Sequence, residues 1–192
     1  YTYASNPNVT ITNDAQASVD NSNPVFDFGK AILKNYHQAG LPQQAYSAGL
    51  EYRDPHYWWL GTNVNYITES YISVSPIART AIFFKNPANG FPFPEATEAR
   101  AKELLRQEKL DPVLLLNLTG GKTWRIKGKT LGLFMSVTNL LDTHYQTGGY
   151  EQARNANFRQ RNQDVSSGTP NFGNKYFQGY GRNYFVSLYL NL

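Results

Sequence analysis

From Asn183 to Leu192 hydrophobic and polar positions alternate without a break. Tyr184, Val186, Leu188, Leu190 and Leu192 take one parity, and Asn183, Phe185, Ser187, Tyr189 and Asn191 take the other. No residue in this stretch is charged. A period of two sends successive side chains to opposite faces, so the pattern predicts a strand with one apolar and one half-polar face. The same rhythm recurs upstream. Tyr46, Ala48, Leu50 and Tyr52 oppose Ser47, Gly49, Glu51 and Arg53. Trp58, Leu60, Thr62, Val64 and Tyr66 oppose Tyr57, Trp59, Gly61, Asn63 and Asn65. Leu114, Leu116 and Leu118 oppose Val113, Leu115, Asn117 and Thr119, and Leu131, Leu133, Met135 and Val137 oppose Gly132, Phe134, Ser136 and Thr138. In all, seven strands are expected, over 1–12, 26–38, 43–53, 56–68, 112–125, 129–141 and 180–192. The first two are the weakest, because Lys30 and Lys34 blur their alternation.

Aromatic placement adds a second regularity. On the apolar parity, Tyr46 and Tyr52 bracket one strand and Trp58 and Tyr66 the next, while Trp124 and Tyr184 stand near the ends of theirs. The centres are aliphatic: Ala48, Leu50, Leu60, Val64, Leu116 and Leu133. A soluble core places large rings at strand centres as well. Rings at both ends of an aliphatic band are what two membrane–water interfaces select. Connection lengths point the same way. Arg53-Asp54-Pro55-His56 and Ile126-Lys127-Gly128-Lys129 are tight turns, whereas 69–111 and 142–179 are long insertions. Short turns on one rim and long loops on the other are the habit of transmembrane barrels. Counted back from a last strand ending at the periplasmic rim, both long insertions fall outside. The short Gly40-Leu41-Pro42 turn then lies on the outer side and the longer 13–25 connection on the inner side. The expected fold class is therefore all-β, a transmembrane antiparallel barrel with long extracellular loops. One loop helix is expected after Pro94, with Glu95 and Glu98 near its amino end and Asp111-Pro112 as its stop.

The parity assigns faces. Leu50, Leu60, Val64, Leu116, Leu133, Val137, Val186, Leu188, Leu190 and Leu192 are expected to face lipid. Tyr46, Tyr52, Trp58, Tyr66, Trp124 and Tyr184 are expected to form the aromatic girdles. Asn63, Asn65, Asn117, Ser136, Thr138 and Ser187 are expected to line the lumen. Within the 142–179 insertion, Arg154, Arg159 and Arg161 are candidates to meet anionic sugars or lipopolysaccharide phosphates at the cell surface.

Composition narrows the picture without changing it. Of the 192 residues 41% are hydrophobic and 15% aromatic, with 14 Tyr and 11 Phe. No run approaches the ~20 apolar residues of a membrane helix. Mean hydropathy is −0.52, which a barrel tolerates because every second strand residue can be polar. There is no cysteine, which excludes disulfides and thiolate metal sites. The net charge of +4 comes from scattered basic residues, and no nucleic-acid partner is inferred. His37, His56 and His144 lack metal-ligand spacing. No Ser-His-Asp arrangement or GxSxG segment is present, and Gly179-Tyr180-Gly181 lacks the strand–turn–helix setting of a phosphate loop. Neither an enzymatic activity nor a cofactor is expected. The amino end, with neither a basic start nor an apolar run, does not read as a signal peptide. Tyr1-Thr2-Tyr3 reads as mid-strand, so an upstream part is expected.

Several segments together resemble the TonB-dependent outer-membrane receptors. Leu114 to Trp124 (LLLNLTGGKTW) resembles their antepenultimate strand, and Val137 to Tyr145 (VTNLLDTHY) their xxNLxDxxY segment. Gly148 to Gln152 (GGYEQ), Arg154 to Phe158 (RNANF), Tyr176 to Tyr184 (YFQGYGRNY), and Lys34-Asn35-Tyr36 followed by Gly40-Leu41-Pro42-Gln43 resemble the branch with an amino-terminal carboxypeptidase-regulatory-like domain. The resemblance covers most of the chain, most strongly from 112 onward. It implies a barrel of about 22 strands around a plug, in the outer membrane of a Gram-negative bacterium. It also implies import of a nutrient or chelate powered through the TonB complex. Implied partners are membrane lipid and lipopolysaccharide, the plug and remaining strands of the same receptor, the TonB complex, and either a surface lipoprotein or a larger outer-membrane complex. The chain departs from the family in its number of strands, in lacking a recognisable plug or TonB box, and in ending on Leu192 where Phe is preferred. On this reading it is a carboxy-terminal portion. Asn139 and Asp142, within the quoted motif, are expected to serve the strand end and the following turn. Two alternatives stand beside this reading: a structural or assembly subunit that keeps the receptor barrel without transport, and a soluble glycan-binding β-sandwich.

Overall fold

Why the alternating segments become strands is visible in their ladders. The computed structural model describes residues 2–12, 25–153 and 156–191. The expected inner-side connection (apart from Val25), Arg154 and Leu192 lie outside these residues. Five strands join one antiparallel sheet in the order β3-β4-β5-β6-β9: β3 is Gln44–Asp54, β4 Trp58–Thr68, β5 Val113–Ile126, β6 Lys129–Thr138 and β9 Asn183–Asn191. The register is continuous from Gln44↔Thr68 to Asp54↔Trp58, so side chains of one parity stay on one face throughout. The β3–β4 turn closes because the Asp54 carboxylate accepts from the His56 backbone N–H (2.8 Å), while Tyr57 takes a left-handed φ of 64°. The β5–β6 turn has two consecutive positive φ values, 50° at Lys127 and 82° at Gly128. That backbone twist matches a two-residue hairpin.

The protein is mostly β, as the alternation requires, but its sheets are not closed into a barrel. No helix of the described residues is long and apolar enough to cross a membrane, which says nothing of strands. The expected first two strands shrink to β1 (Asn8–Thr12) and β2 (Val25–Lys30), which pair only with each other. A bulge between Val9 and Thr10 and a left-handed Gly29 interrupt their register. Beyond Lys30 the chain turns inward, burying Ala31 and Leu33. Two short strands escaped the sequence pattern, β7 (Gln146–Tyr150) and β8 (Lys175–Gln178), which form a separate ladder.

The described residues divide into two units. One comprises 42–70, 109–147 and 177–192 and contains the five-stranded sheet. The other comprises 1–41, 71–108 and 148–176, the segments dominated by long connections. This second unit has its own core. Ala78, Phe83, Phe93, Ala101, Leu104 and Phe158 form one buried cluster, and Ala31, Leu33 and Val74 another. Two helices contribute. The first, α1 (Glu98–Leu104), starts later than Pro94 suggests, because residues 93–96 make a turn (Ala96 N–H to the Phe93 carbonyl) and Thr97 becomes the cap, accepting from the Arg100 N–H. It also ends well before Pro112, at Leu104. The second, α2 (Phe158–Ser166), was not foreseen. Its signal is a capping box, in which the Asn157 side chain accepts from the Gln160 N–H (3.0 Å) and the Gln160 side chain accepts from the Asn157 N–H (3.0 Å).

Candidate functional site

The sheet presents two chemically different faces. Register places Tyr46, Leu50, Leu60, Val64, Leu116, Leu133, Val137, Val186, Leu188 and Leu190 on a single face, with Tyr52, Trp58, Tyr66, Trp124 and Tyr184. Across the strands, Val64 faces both Ala48 and Leu116, and Leu133 faces Leu188. Tyr46, Tyr66 and Tyr184 stand at one end of this face, and Tyr52, Trp58 and Trp124 at the other. Tyr46 pairs with Tyr66 (ring centroids 6.4 Å) and Tyr52 meets Trp58 (5.4 Å). The aliphatic band between the rings is uncovered: Leu50 is 80% exposed, Leu188 67%, Leu190 60% and Val186 56%. Contiguous apolar surface on this scale is not left to water in a stable monomer.

The opposite face carries Asn63, Asn65, Asn117, Ser136, Thr138 and Ser187. Asn63 donates to the Ser47 hydroxyl (2.9 Å), and Asn65 donates to Asn63 Oδ1 (2.5 Å). Asn117 Oδ1 accepts from the Asn139 N–H (2.9 Å). This face is not polar throughout. Trp59, Phe134 and Phe185 form a ladder with centroid separations of 6.0 Å at each step, and the Arg53 guanidinium lies 5.9 Å from the Trp59 ring. Glycines sit directly opposite two of its rings: Gly121 faces Trp59 and Gly132 faces Tyr189. A Cβ at either glycine would run into that ring. The signal for this ladder was aromatic residues paired across strands with glycines, which face assignment by polarity alone passes over.

Asn139 is a strand terminus rather than a ligand group. It is buried with a φ of 51°, and its amide donates to the Thr143 and Tyr180 carbonyls while accepting from the Thr143 N–H. Asp142 accepts from the Arg182 N–H (2.8 Å).

Of the candidate arginines in the 142–179 insertion, Arg159 and Arg161 are among the described residues, and their surroundings differ. Arg159 is taken by the Glu95 carboxylate (2.6 and 3.2 Å) and lies 4.6 Å from the Phe93 ring. That hydrogen-bonded guanidinium holds the Glu95 carboxyl below its ordinary range. Arg161 borders an open groove of about 590 Å³ with Gln152, Gln160, Asp164, Asn171 and Phe172. The strongest electrostatic feature was not foreseen at all. Arg79 and Glu151 form a buried bidentate pair, with side chains 1% and 4% exposed. Glu151 also accepts from the Ser75 N–H (2.8 Å), and Arg79 donates to the Leu105 carbonyl (2.8 Å) beneath the Tyr36 ring. Gln107 clamps the same unit, donating to the His37 and Ile72 carbonyls and accepting from the His37 N–H.

His37 stacks on Tyr71 (3.9 Å), and His56 lies against Asp54 (2.7 Å). Among the described residues no three His, Cys, Asp or Glu side chains are grouped to hold a metal ion. No protein-family model, curated protein or solved structure matches this chain.

Proposed function

We propose that this chain is a wall segment of a TonB-dependent outer-membrane transporter, importing a nutrient or chelate and carrying no enzymatic site. The single observation behind this reading is the uncovered aliphatic face bounded at both ends by rings. Trp58 and Tyr66 are eight positions apart, roughly 27 Å along a strand at ~3.4 Å per residue. A strand tilt of ~40° brings this to about 21 Å, near the ~25 Å apolar band of outer-membrane barrels. A soluble glycan-binding sandwich would bury that face beneath a second sheet; here its leucines stand exposed.

In this reading the five-stranded sheet is part of a larger barrel, of about 22 strands in such receptors. Its edges, β3 and β9, pair with further strands of the same receptor, because closure removes free edges. The polar face with its aromatic ladder looks toward the lumen and the plug. The unit with α1 and α2 belongs to the extracellular loops that capture ligand, and TonB acts on the plug elsewhere in the receptor. An assembly subunit without transport would share the wall, and dependence of uptake on TonB separates the two.

Because the chain has no cysteine, single-cysteine labelling tests the wall cleanly. In the whole receptor in its membrane, a cysteine at Leu188 is expected to react with a lipid-soluble maleimide and resist a charged one. A cysteine at Ser187 is expected to escape the lipid-soluble reagent. Labelling of position 188 by the charged reagent, in protein that extracts into plain buffer, would overturn the reading.

A further inference from the structure

The short-turn end of the sheet carries an unbalanced positive charge. Its basic residues are Arg53, Lys122, Arg125, Lys127 and Lys129, and its acids are Glu51 and Asp54. Both acids are already engaged. Glu51 accepts from Arg53 (2.6 Å), and Asp54 accepts from the His56 ring, the His56 N–H and the Tyr52 hydroxyl. Lys122, Arg125, Lys127 and Lys129 have no acidic partner among the described residues. Arg125 lies over the Tyr57 ring (4.8 Å). At the far end of the same sheet Glu69 pairs with Lys109, and the Asp142 carboxylate accepts from the Arg182 backbone N–H.

Register decides which way this charge faces. Lys122 is directly opposite Trp58, Trp124 opposite Leu131, and Lys129 opposite Ile126. Lys122 and Lys129 therefore share the apolar face with Trp58 and Trp124, and Lys127 is in the turn between their strands. A cation beside an aromatic girdle, at the end of an aliphatic band, stands at the level of lipid headgroups.

We propose that Lys122, Lys127 and Lys129 form a binding site for the phosphate of anionic glycerophospholipids, with Trp58 and Trp124 as the floor against which the glycerol and upper acyl chains rest. The Lys122 ammonium donates to the His56 carbonyl (2.6 Å), leaving two N–H groups for a headgroup oxygen. Lys127 and Lys129 are exposed and supply all of theirs. The rim with short turns is the periplasmic one in outer-membrane barrels, so the site would select anionic lipids of the inner leaflet. This rests on the membrane reading above and adds to it a lipid class and a location.

The test uses the whole receptor, extracted from its membrane and reconstituted into nanodiscs of phosphatidylethanolamine mixed with phosphatidylglycerol. Retained lipid is read by native mass spectrometry after mild detergent transfer. Wild-type protein is expected to retain phosphatidylglycerol over phosphatidylethanolamine, with the preference falling roughly fivefold for each lysine removed. The variants are K122Q/K127Q/K129Q and, sparing the His56 hydrogen bond, K127Q/K129Q; replacement of all three by Arg is expected to restore retention. Absence of a preference in wild type, or its persistence in both Gln variants, overturns the site while insertion into nanodiscs leaves the membrane reading standing. Displacement of the lipid by inorganic phosphate alone would also overturn it, as a free-anion site. Failure of the wild type to enter nanodiscs at all sinks the membrane reading itself.

Discussion

The two units of this protein use the same residue types under opposite rules. In the sheet, large apolar side chains point outward: Leu50 is 80% exposed and Leu188 67%. In the loop-rich unit a subset points inward to form a core, with Phe158 1% exposed and Ile72 fully buried, although Phe91 and Leu41 stay exposed. The sheet is ordered by continuous backbone ladders across five strands. The loop unit has little regular structure and relies on a ring cluster (Phe83, Phe84 and Phe158) and one buried ion pair. The difference teaches that one unit keeps an apolar face uncovered while the other gathers buried clusters of its own. Charge follows the same division, with Arg79 and Glu151 sealed inside the loop unit and the sheet's charges kept to its ends.

The comparison is broken most severely at the buried pair. Arg79→Ala leaves the Glu151 carboxylate uncompensated and is expected to destabilise the loop unit by about 3–5 kcal/mol. Hydrogen exchange on the whole protein should show lost protection around Ser75 and Leu105 with the sheet unchanged. The double replacement Arg79→Met with Glu151→Leu should be far milder.

Next in size is a charge on the exposed apolar face. On the wall reading proposed above, Leu188→Arg is expected to cost roughly 2–4 kcal/mol of folding into a bilayer, read from denaturant titration in lipid vesicles. Ser187→Arg, one position away on the other face, should cost much less. Equal effects of the two would erase the distinction between the faces.

A smaller expected effect concerns the ring over glycine. Gly132→Ala pushes a Cβ into the Tyr189 ring and should cost about 1–3 kcal/mol, the usual range for overpacking. Adding Tyr189→Ala should recover part of the loss. A strictly additive pair would show that ring and glycine do not communicate.

The smallest effect is the exposed Arg159–Glu95 pair. Arg159 lowers the Glu95 carboxyl, so the pair's contribution is complete above the ordinary glutamate value of 4.5 and is lost as pH falls through the lower folded-state value. The melting difference between wild type and Glu95→Gln should shrink on acidification through that window. A difference that grows toward low pH would contradict the assignment.

How much could be read without coordinates follows from the range of the forces. Alternation between Gln44 and Thr68, or between Lys129 and Thr138, is a property of neighbours, so strand positions and faces follow from the residues alone. The Lys127-Gly128 turn is local for the same reason. The capping box at Asn157 is equally local, since Asn157 and Gln160 are three positions apart. Other features depend on residues far apart in the chain. Arg79 meets Glu151, and Arg159 meets Glu95, only after both long insertions have folded. No periodicity encodes such a pairing, so Arg159 reads as a free surface cation in the sequence and is a paired one in the fold. Likewise, β1 and β2 carry strand-forming residues, yet which sheet they join depends on competing ladders and buried side chains. Period-two patterning settles which side chains share a face because the backbone itself enforces it. Pairing between distant loops is settled only by three-dimensional packing, where burial makes one unmatched charge too costly to leave alone.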